Sequence, residues 1–264
     1  MAILKGGPGF TGRIDGMIAY TAKGSNDIIL RTKGGPSRAR VKTAPEFELT
    51  RQNARELGGC AKATANIRQA IFPVKHLADY GFTGTLTALN KKIQLLDKAN
   101  KRGERSVLLS QYAYLLEGFH LNQHHTFDSV IRHPLEITID RSAGMAAVIV
   151  PNLLPGMNLL SPWIQPCFRL IFSLGVISDR TFNGIDYKEV ADSPHFFTQS
   201  IYTEWQHVQQ PFPAQNFILQ LSHPELLTSA HMLVVAAGIE MGMPVSNAYI
   251  KAAGVGCAKI LAVK

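Results

Sequence analysis

The hydrophobic pattern of the chain changes its period near residue 133, and this change constrains the fold more than any other feature. Beyond it, apolar and polar residues alternate, as in LEITID at residues 135–140, which is typical of a half-buried strand. Further apolar runs lie at residues 146–150, 168–174, 196–205, 217–221, 231–237 and 257–263. Seven short runs, separated by Pro, Gly, Asn and Asp, predict an antiparallel β-sandwich over residues 133–264.

Before that point the apolar residues recur at helical spacing, so we expect residues 43–132 to form a helical region. TAPE at residues 43–46 has the form of a capping box with proline in the first turn, which predicts a helix start. FP at residues 72–73 should end or kink this helix. Later patterns predict a second helix at residues 86–96 and a third at 106–117. The first helix has a predicted apolar stripe: Leu49, Leu57, Cys60, Ile67 and Ile71.

Residues 1–42 are predicted to form a glycine-rich arm, a β-hairpin and a basic linker. Residues 13–21 and 27–32 have the composition of strands, and the five residues between them suit a turn. A two-stranded hairpin is marginal in water, so its apolar side chains need cover from this molecule or from a neighbour. They are the candidate assembly interface: Ile14, Met17, Ile18, Tyr20, Ile28, Ile29 and Leu30. Together the three segments predict an α+β protein.

The charge is unevenly distributed along the chain. The net charge is +8, and counting along the sequence gives +11 for residues 1–105 and −3 for residues 106–264. Such asymmetry indicates a polyanion-binding surface, or a basic end that docks on an acidic face of another copy. A solvated lysine-rich surface is the third alternative. The candidate contacts for a polyanion or an acidic partner are Arg31, Lys33, Arg38, Arg40, Lys42, Arg51, Arg55 and Lys62.

No motif in the sequence predicts a catalytic, cofactor-binding or metal-binding residue. Residues 7–12 match G-x-G-x-x-G, but a dinucleotide site needs a preceding strand and a following helix, and neither fits here. His120 and His124 have metal-ligand spacing without the glutamate of H-E-x-x-H. Glu204 with His207 lacks any nucleophile motif. We therefore expect a protein that is not an enzyme and needs no cofactor.

Cysteine usage and the N-terminus predict synthesis in the cytoplasm. The three cysteines are odd in number and widely spaced, which favours a reducing compartment. The N-terminal apolar run is too short for a secretory signal, so an extracellular location would require non-classical release. The longest uncharged stretch, between Arg141 and Arg169, contains four prolines. A membrane-spanning helix is therefore not expected.

Several segments resemble an uncharacterised protein family of Bacteroidota. They are GRIDGMIAY at 12–20, ILRTKGGPSR at 29–38, TRQNARELGG at 50–59, GERS at 103–106 and LEGFHLN at 116–122. Members of that family commonly share a G-x-x-G-x-x-x-Y hairpin, a basic turn and an R-x-N-x-x-E-[FL]-G helix. The resemblance covers the N-terminal half well and the C-terminal half loosely. It implies the same order of arm, helices and sandwich, and it implies no activity, cofactor or partner.

The hypothesis that best combines these features is a non-enzymatic structural protein that self-assembles. We expect a homo-oligomer, as the subunit of a filament, tube or particle, in which the N-terminal arm packs into a neighbouring copy. The alternative is a protein that binds nucleic acid or another polyanion through the basic residues 31–105. A carbohydrate-binding or hydrolytic sandwich rests on fold analogy. An exposed Trp163 or Trp205 beside a carboxylate-lined groove would support that third hypothesis.

Overall fold

The computed structural model describes residues 2–4, 9–22, 24–32, 34–191, 198–246 and 248–264. It contains both helices and antiparallel sheets, which confirms the α+β class. The chain divides into two compact units, Met1–Arg51 and Gln52–Lys264.

The first unit contains the strands β1 (Ala2–Leu4), β2 (Gly12–Ile14), β3 (Met17–Thr21) and β4 (Ile28–Thr32). They form one sheet in the order β1-β4-β3-β2. The predicted hairpin of residues 13–21 and 27–32 is present as the antiparallel pair β3 and β4, but it is part of a larger sheet, because β2 and β3 form a second hairpin within residues 12–21. Asp15 and Gly16 form its turn with φ angles of 41° and 78°, and Asp-Gly is a preferred pair where two successive residues need positive φ.

A short helix, α1 (Arg38–Thr43), follows the sheet, and a 3₁₀ turn (Pro45–Phe47) leads to the long helix α2 (Glu48–Ala70). The predicted helix start at the capping box was therefore several residues too early. The hydroxyl of Thr43 donates to the carbonyl of Ala39 at 3.0 Å, so Thr43 closes α1 instead of capping α2.

The remaining helices lie in the second unit. After α2 come α3 (Phe72–Lys75), α4 (Thr83–Leu96) and α5 (Phe127–Val130), and the break between α2 and α3 confirms the predicted kink. The third predicted helix was wrong, since residues 106–117 contain only a 3₁₀ turn. The N–H of Val107 donates to the carbonyl of Arg180 at 2.8 Å, and the N–H of Arg180 returns a bond at 3.0 Å. This strand-like bridge uses the backbone groups that a helix would need.

The buried face of α2 is rotated from the predicted stripe in its N-terminal half. Leu49 and Leu57 are exposed, whereas Glu56 and Gly59 are buried. A side chain at Gly59 would place its Cβ 2.7 Å from the ring of Tyr187, so only glycine fits this contact. The remaining members of the predicted stripe, Cys60, Ile67 and Ile71, are buried.

Three sheets lie in the second unit, and their named strands pair in antiparallel fashion. The five-stranded sheet has the order β10-β7-β13-β14 with β11 also paired to β7, and the three-stranded sheet has the order β12-β6-β5. Strands β8 and β9 form a ribbon. The bounds are β5 (Glu136–Asp140), β6 (Met145–Val150), β7 (Cys167–Ser178), β8 (Arg180–Phe182), β9 (Tyr187–Glu189), β10 (Gln199–Tyr202), β11 (Gln206–His207), β12 (Gln215–Gln220), β13 (His231–Val245) and β14 (Ala248–Val263).

Each of the seven predicted runs contains a strand, although β13 and β14 extend well beyond their runs. Residues 196–197 of the run at 196–205 lie outside the described residues. The apolar runs underestimated the lengths of β13 and β14. Near residue 250, β14 contains Lys251 and other exposed positions, which interrupt the apolar pattern.

The two central strands, β7 and β13, are buried on both faces. One face of β7 meets side chains of the three-stranded sheet in a first core, and the other meets α2, α3 and α4 in a second core. Successive residues alternate between the two: Phe168, Leu170, Phe172 and Leu174 belong to the first core. Ile171 and Ile177 belong to the second. This arrangement fixes α3 against the face of β7 and β13 that carries the site described next.

We predict opposite effects for alanine at the two adjacent glycines of α2. At Gly58 a Cβ meets nothing within 4 Å, so Gly58→Ala should raise the free energy of unfolding by about 0.5–1 kcal/mol through helix propensity. At Gly59 the Cβ would clash with the Tyr187 ring, so Gly59→Ala should lower the free energy of unfolding by about 1–3 kcal/mol. Urea unfolding of both variants tests this, and equal shifts would contradict the assigned helix face.

Candidate functional site

The seven candidate assembly residues all lie in the four-stranded sheet of the first unit, on β2, β3 and β4. Register places Ile14 opposite Met17, and Ala19 opposite Leu30, so both pairs share one face. Ala19, at 2% exposure, is the one buried residue among those of Met1–Arg51 whose side chains the structure describes. Ile14 is 53% exposed and Met17 38%.

Much of the candidate polyanion surface is engaged within the protein. Arg51 binds the Glu48 carboxylate at 2.5 Å and the carbonyl of Ala44 at 2.8 Å. Lys62 binds Asp186, and the Arg55 guanidinium lies 5.1 Å from the Phe182 ring centroid.

The candidates nearer the N-terminus are more exposed. Arg40 pairs with Glu46 at 2.9 Å, and Arg31 lies over the Tyr20 ring. Arg38 and Lys42 are exposed on α1, and no ion pair of theirs is formed within the part of the chain that the structure describes. Lys33 lies outside the described residues.

A buried carboxylate in α2 binds two further cations of the basic half. Glu56 is 1% exposed and pairs with Lys91 at 2.5 Å and Arg105 at 3.1 Å, and it also accepts the Gly103 N–H at 2.7 Å. Burial alone raises the pKa of Glu56, but the hydrogen bonds from Lys91 and Gly103 outweigh it, so the pKa lies below its ordinary value. This cluster holds α2, α4 and the following loop together.

The motifs that sequence analysis set aside do not form a reactive cluster. His120 lies 3.4 Å from Asp128, which also binds Lys259 at 2.7 Å. No group of His, Cys, Asp and Glu within the described ranges could hold a metal ion. His207 accepts the backbone N–H of Gln209 at 3.2 Å. Part of the G-x-G-x-x-G segment lies outside the described residues.

A cleft of about 670 Å³ opens in the second unit beside α3, and no motif in the sequence predicted it. It combines cationic, aromatic and hydroxyl side chains from α2, α3, β7, β10, β13 and β14. Its lining residues are Gln69, Phe72, Pro73, Lys75, His76, Arg169, Thr198, Ser200, Tyr202, Glu240 and Lys251.

Glu240 lies at the floor of this cleft and is 1% exposed. Glu240 on β13 and Arg169 on β7 are cross-strand partners, and the guanidinium binds one carboxylate oxygen through Nε at 2.7 Å and Nη2 at 2.5 Å. His76, which follows α3, binds the other oxygen through Nε2 at 2.6 Å. One buried carboxylate therefore positions two side chains that face the cleft.

Two glycines make room for this arrangement. Gly238 and Gly242 lie two residues before and after Glu240, on the same face of β13. A Cβ at Gly238 would lie 2.6 Å from Leu77, and one at Gly242 would lie 2.6 Å from the Trp205 ring. The absence of both side chains lets Leu77 and Trp205 pack directly on the strand.

The guanidinium of Arg169 is also held by aromatic rings. Its central carbon lies 4.7 Å from the Tyr202 ring centroid and 4.8 Å from that of Trp205. Trp205 stacks in turn on Tyr249, with centroids 5.7 Å apart and planes at 15°. Ion pairing and cation–π contacts together leave Arg169 little rotational freedom.

The charge state of Glu240 decides the tautomer of its neighbour. Burial by itself raises the pKa of Glu240, but hydrogen bonds from His76 and Arg169 outweigh it, so the pKa lies below its ordinary value of 4.5. An ionised carboxylate only accepts hydrogen bonds. Nε2 of His76 therefore carries the proton that is donated to Glu240.

A signal for this site was present in the sequence. Residues 238–242 read Gly-Ile-Glu-Met-Gly, so a single carboxylate flanked at i−2 and i+2 by glycine interrupts an apolar strand. A charge within a strand that is buried on both faces needs a partner, and small flanking residues indicate that something packs closely there.

Comparisons with known proteins assign no role to the site. No family model, curated protein or solved structure matches the chain. None of the helices in the described ranges combines the length and apolar character needed to cross a membrane.

We predict that acid destabilises the protein partly through Glu56 and Glu240. Both have lowered pKa values in the folded state, so they stabilise it fully above the ordinary value of 4.5, and this contribution is lost as the pH falls through the folded values. The free energy of unfolding should fall between about pH 5 and pH 3. Urea unfolding across this range measures the slope.

Glu240→Gln should lower stability at pH 7 by about 3 kcal/mol, because it leaves Arg169 without its carboxylate, and should weaken the acid dependence. Glu136→Gln, on an exposed position of β5, is the matched control and should keep the stability of the parent protein at pH 7. An acid slope in Glu240→Gln as steep as in the parent would contradict this role.

Proposed function

We propose that the protein is a structural, self-assembling subunit that forms homo-oligomers through its N-terminal sheet. The observation that supports this most directly is that the apolar side chains of the sheet in the first unit are incompletely covered: Ile14 and Met17 are exposed, and the other five candidate residues are half-buried. In this proposal the sheet has the role that was predicted for the arm, and a second copy of the chain buries its apolar side chains.

Both faces of the sheet carry apolar side chains, which distinguishes it from an ordinary half-buried sheet. Ile14, Met17 and Leu30 share the face of Ala19, and the register puts Ile18 and Ile29 on the opposite face. Exposed apolar patches of this kind mark interaction surfaces. Among the described strands, the outer strands β1 and β2 each have one partner, so their other edges offer backbone groups for strand addition.

In this proposal the body of the subunit is an antiparallel β-sandwich covered by helices. Its support is the first core, to which the three-stranded sheet and one face of the five-stranded sheet both contribute. A folded body that also carries a sheet with exposed apolar side chains suits repeated assembly into filaments, tubes or particles.

Polyanion binding through residues 31–105 is the weaker alternative. Lys62, Lys91 and Arg105 bind carboxylates of the same chain, which reduces the charge available to phosphates. The hydrolytic hypothesis is weaker still. Glu240 is the one carboxylate among the described residues that line the cleft, and both of its oxygens are already bound, one by Arg169 and one by His76.

The assembly proposal predicts that polar residues on the N-terminal sheet abolish oligomers. Ile14→Asn/Met17→Asn changes one exposed cross-strand pair, so folding of the second unit should be preserved while sedimentation velocity shifts to the monomer. Ile164→Asn/Ile185→Asn is the matched control, since these isoleucines are 96% and 89% exposed in the second unit. Light scattering over a range of concentrations provides a second readout.

Two outcomes would refute the proposal. Parent protein that stays monomeric at the highest soluble concentration has no assembly to explain. Oligomers of unchanged size in Ile14→Asn/Met17→Asn would place the interface elsewhere.

The alternative, polyanion binding through residues 31–105, predicts a different result. Binding of a fluorescent oligonucleotide should appear at low ionic strength, fall steeply with added salt, and weaken in Arg38→Gln/Lys42→Gln, because phosphate contacts release counterions. No binding at low ionic strength would remove it.

A further inference from the structure

We propose that the cleft beside α3 binds a small organic anion that carries a planar ring, such as a ring-bearing phosphate or carboxylate. This inference concerns the second unit alone, and it stands or falls independently of assembly through the N-terminal sheet.

The charge of the cleft favours an anion. Lys75, Arg169 and Lys251 contribute three positive charges to its lining, whereas Glu240 contributes one negative charge. That negative charge is buried and shared by Arg169 and His76. The described lining therefore keeps an excess of two positive charges, and a desolvated anion would find donors from α3 and β14 on two sides.

The aromatic walls favour a ring. Phe72 and Tyr202 line the cleft and are 56% and 45% exposed, which is unusual for side chains that would gain by burial. The Lys75 ammonium lies 5.0 Å from the Phe72 ring centroid, and Arg169 lies over Tyr202. A cation lies over each ring, so a ligand that contacts the exposed part of either ring is also within reach of a positive charge.

The buried carboxylate gives the cleft one donor, Arg169, in a fixed orientation. Removing Glu240, Arg169 and His76 from water is costly, and apolar residues of similar size would often stabilise a core at least as well. What the ion pair adds is orientation: Glu240 holds the guanidinium by two nitrogens and the imidazole by Nε2. Donors that are held before binding lose little entropy when the ligand arrives.

The size and composition of the cleft exclude other classes of ligand. A volume of about 670 Å³ suits a molecule the size of a mononucleotide and is too large for a bare inorganic anion to fill. The described part of its lining offers one carboxylate, which is already bound by Arg169 and His76, so it does not provide the oxygen ligands that a divalent cation needs.

Adenosine 5′-monophosphate and phenyl phosphate are suitable probes, with adenosine and inorganic phosphate as matched ligands that lack the charge or the ring. Trp205 contacts Arg169, so its fluorescence should report binding, and Trp163→Phe leaves it as the single tryptophan of the chain. We expect the ring-bearing phosphates to bind, and adenosine and inorganic phosphate to bind at least about tenfold more weakly. Isothermal titration calorimetry checks the affinities.

Variants of the rim cations locate the site. Lys75→Met and Lys251→Met should each lower the affinity for adenosine 5′-monophosphate by about fivefold or more. Lys188→Met removes an exposed lysine from β9, outside the cleft, and should leave the affinity unchanged. Circular dichroism melts establish that each variant is folded, and Ile14→Asn/Met17→Asn should bind as the parent does.

Three results would overturn the proposal. The first is no binding of either ring-bearing phosphate, or of benzoate as a ring-bearing carboxylate, at millimolar concentration. The second is equal affinity for adenosine and its monophosphate, which would remove the role of charge, or equal affinity for inorganic phosphate, which would remove the role of the ring. The third is an effect of Lys188→Met as large as that of Lys251→Met.

Discussion

The burial of β7 and β13 on both faces is the constraint on which the rest of the second unit depends. These two strands pair over twelve positions, from His231 with Ser178 to Gly242 with Cys167. Because both faces are apolar, each needs a separate cover: the three-stranded sheet lies on one side and α2, α3 and α4 lie on the other. The placement of α3, and with it His76 and Lys75, follows from this requirement.

The sequence predicted the elements of this fold better than their partners. The change of period near residue 133 predicted all seven strand runs, and the kink at residues 72–73 was confirmed. The third helix was wrong because the apolar residues of 106–117 are compatible with helical spacing, while the pairing of Val107 with Arg180 depends on a strand far along the chain. The Asp15-Gly16 turn was a local signal that could have been used.

The candidate site could not be predicted from local patterns. Arg169 and Glu240 meet because two strands pair in one particular register, and a shift of one residue would place them on opposite faces. The charge asymmetry was a poor guide for the same reason. Lys91 and Arg105 belong to the basic half of the sequence, yet both pair with the buried Glu56 of α2. Net charge along a chain does not show which cations remain at the surface.

The glycines around Glu240 have a consequence for how adaptable the cleft can be. Gly238 and Gly242 allow Leu77 and Trp205 to approach the backbone of β13 closely. The base of the cleft is therefore formed by the paired strands β7 and β13 and not by loops. Widening such a base would break ladder hydrogen bonds of a central strand. If the cleft binds an anion as proposed, its selectivity resides in side chains of the lining such as Lys75, Tyr202 and Lys251, and exchanging these three is the route by which the cleft could come to accept different molecules while its architecture stays constant.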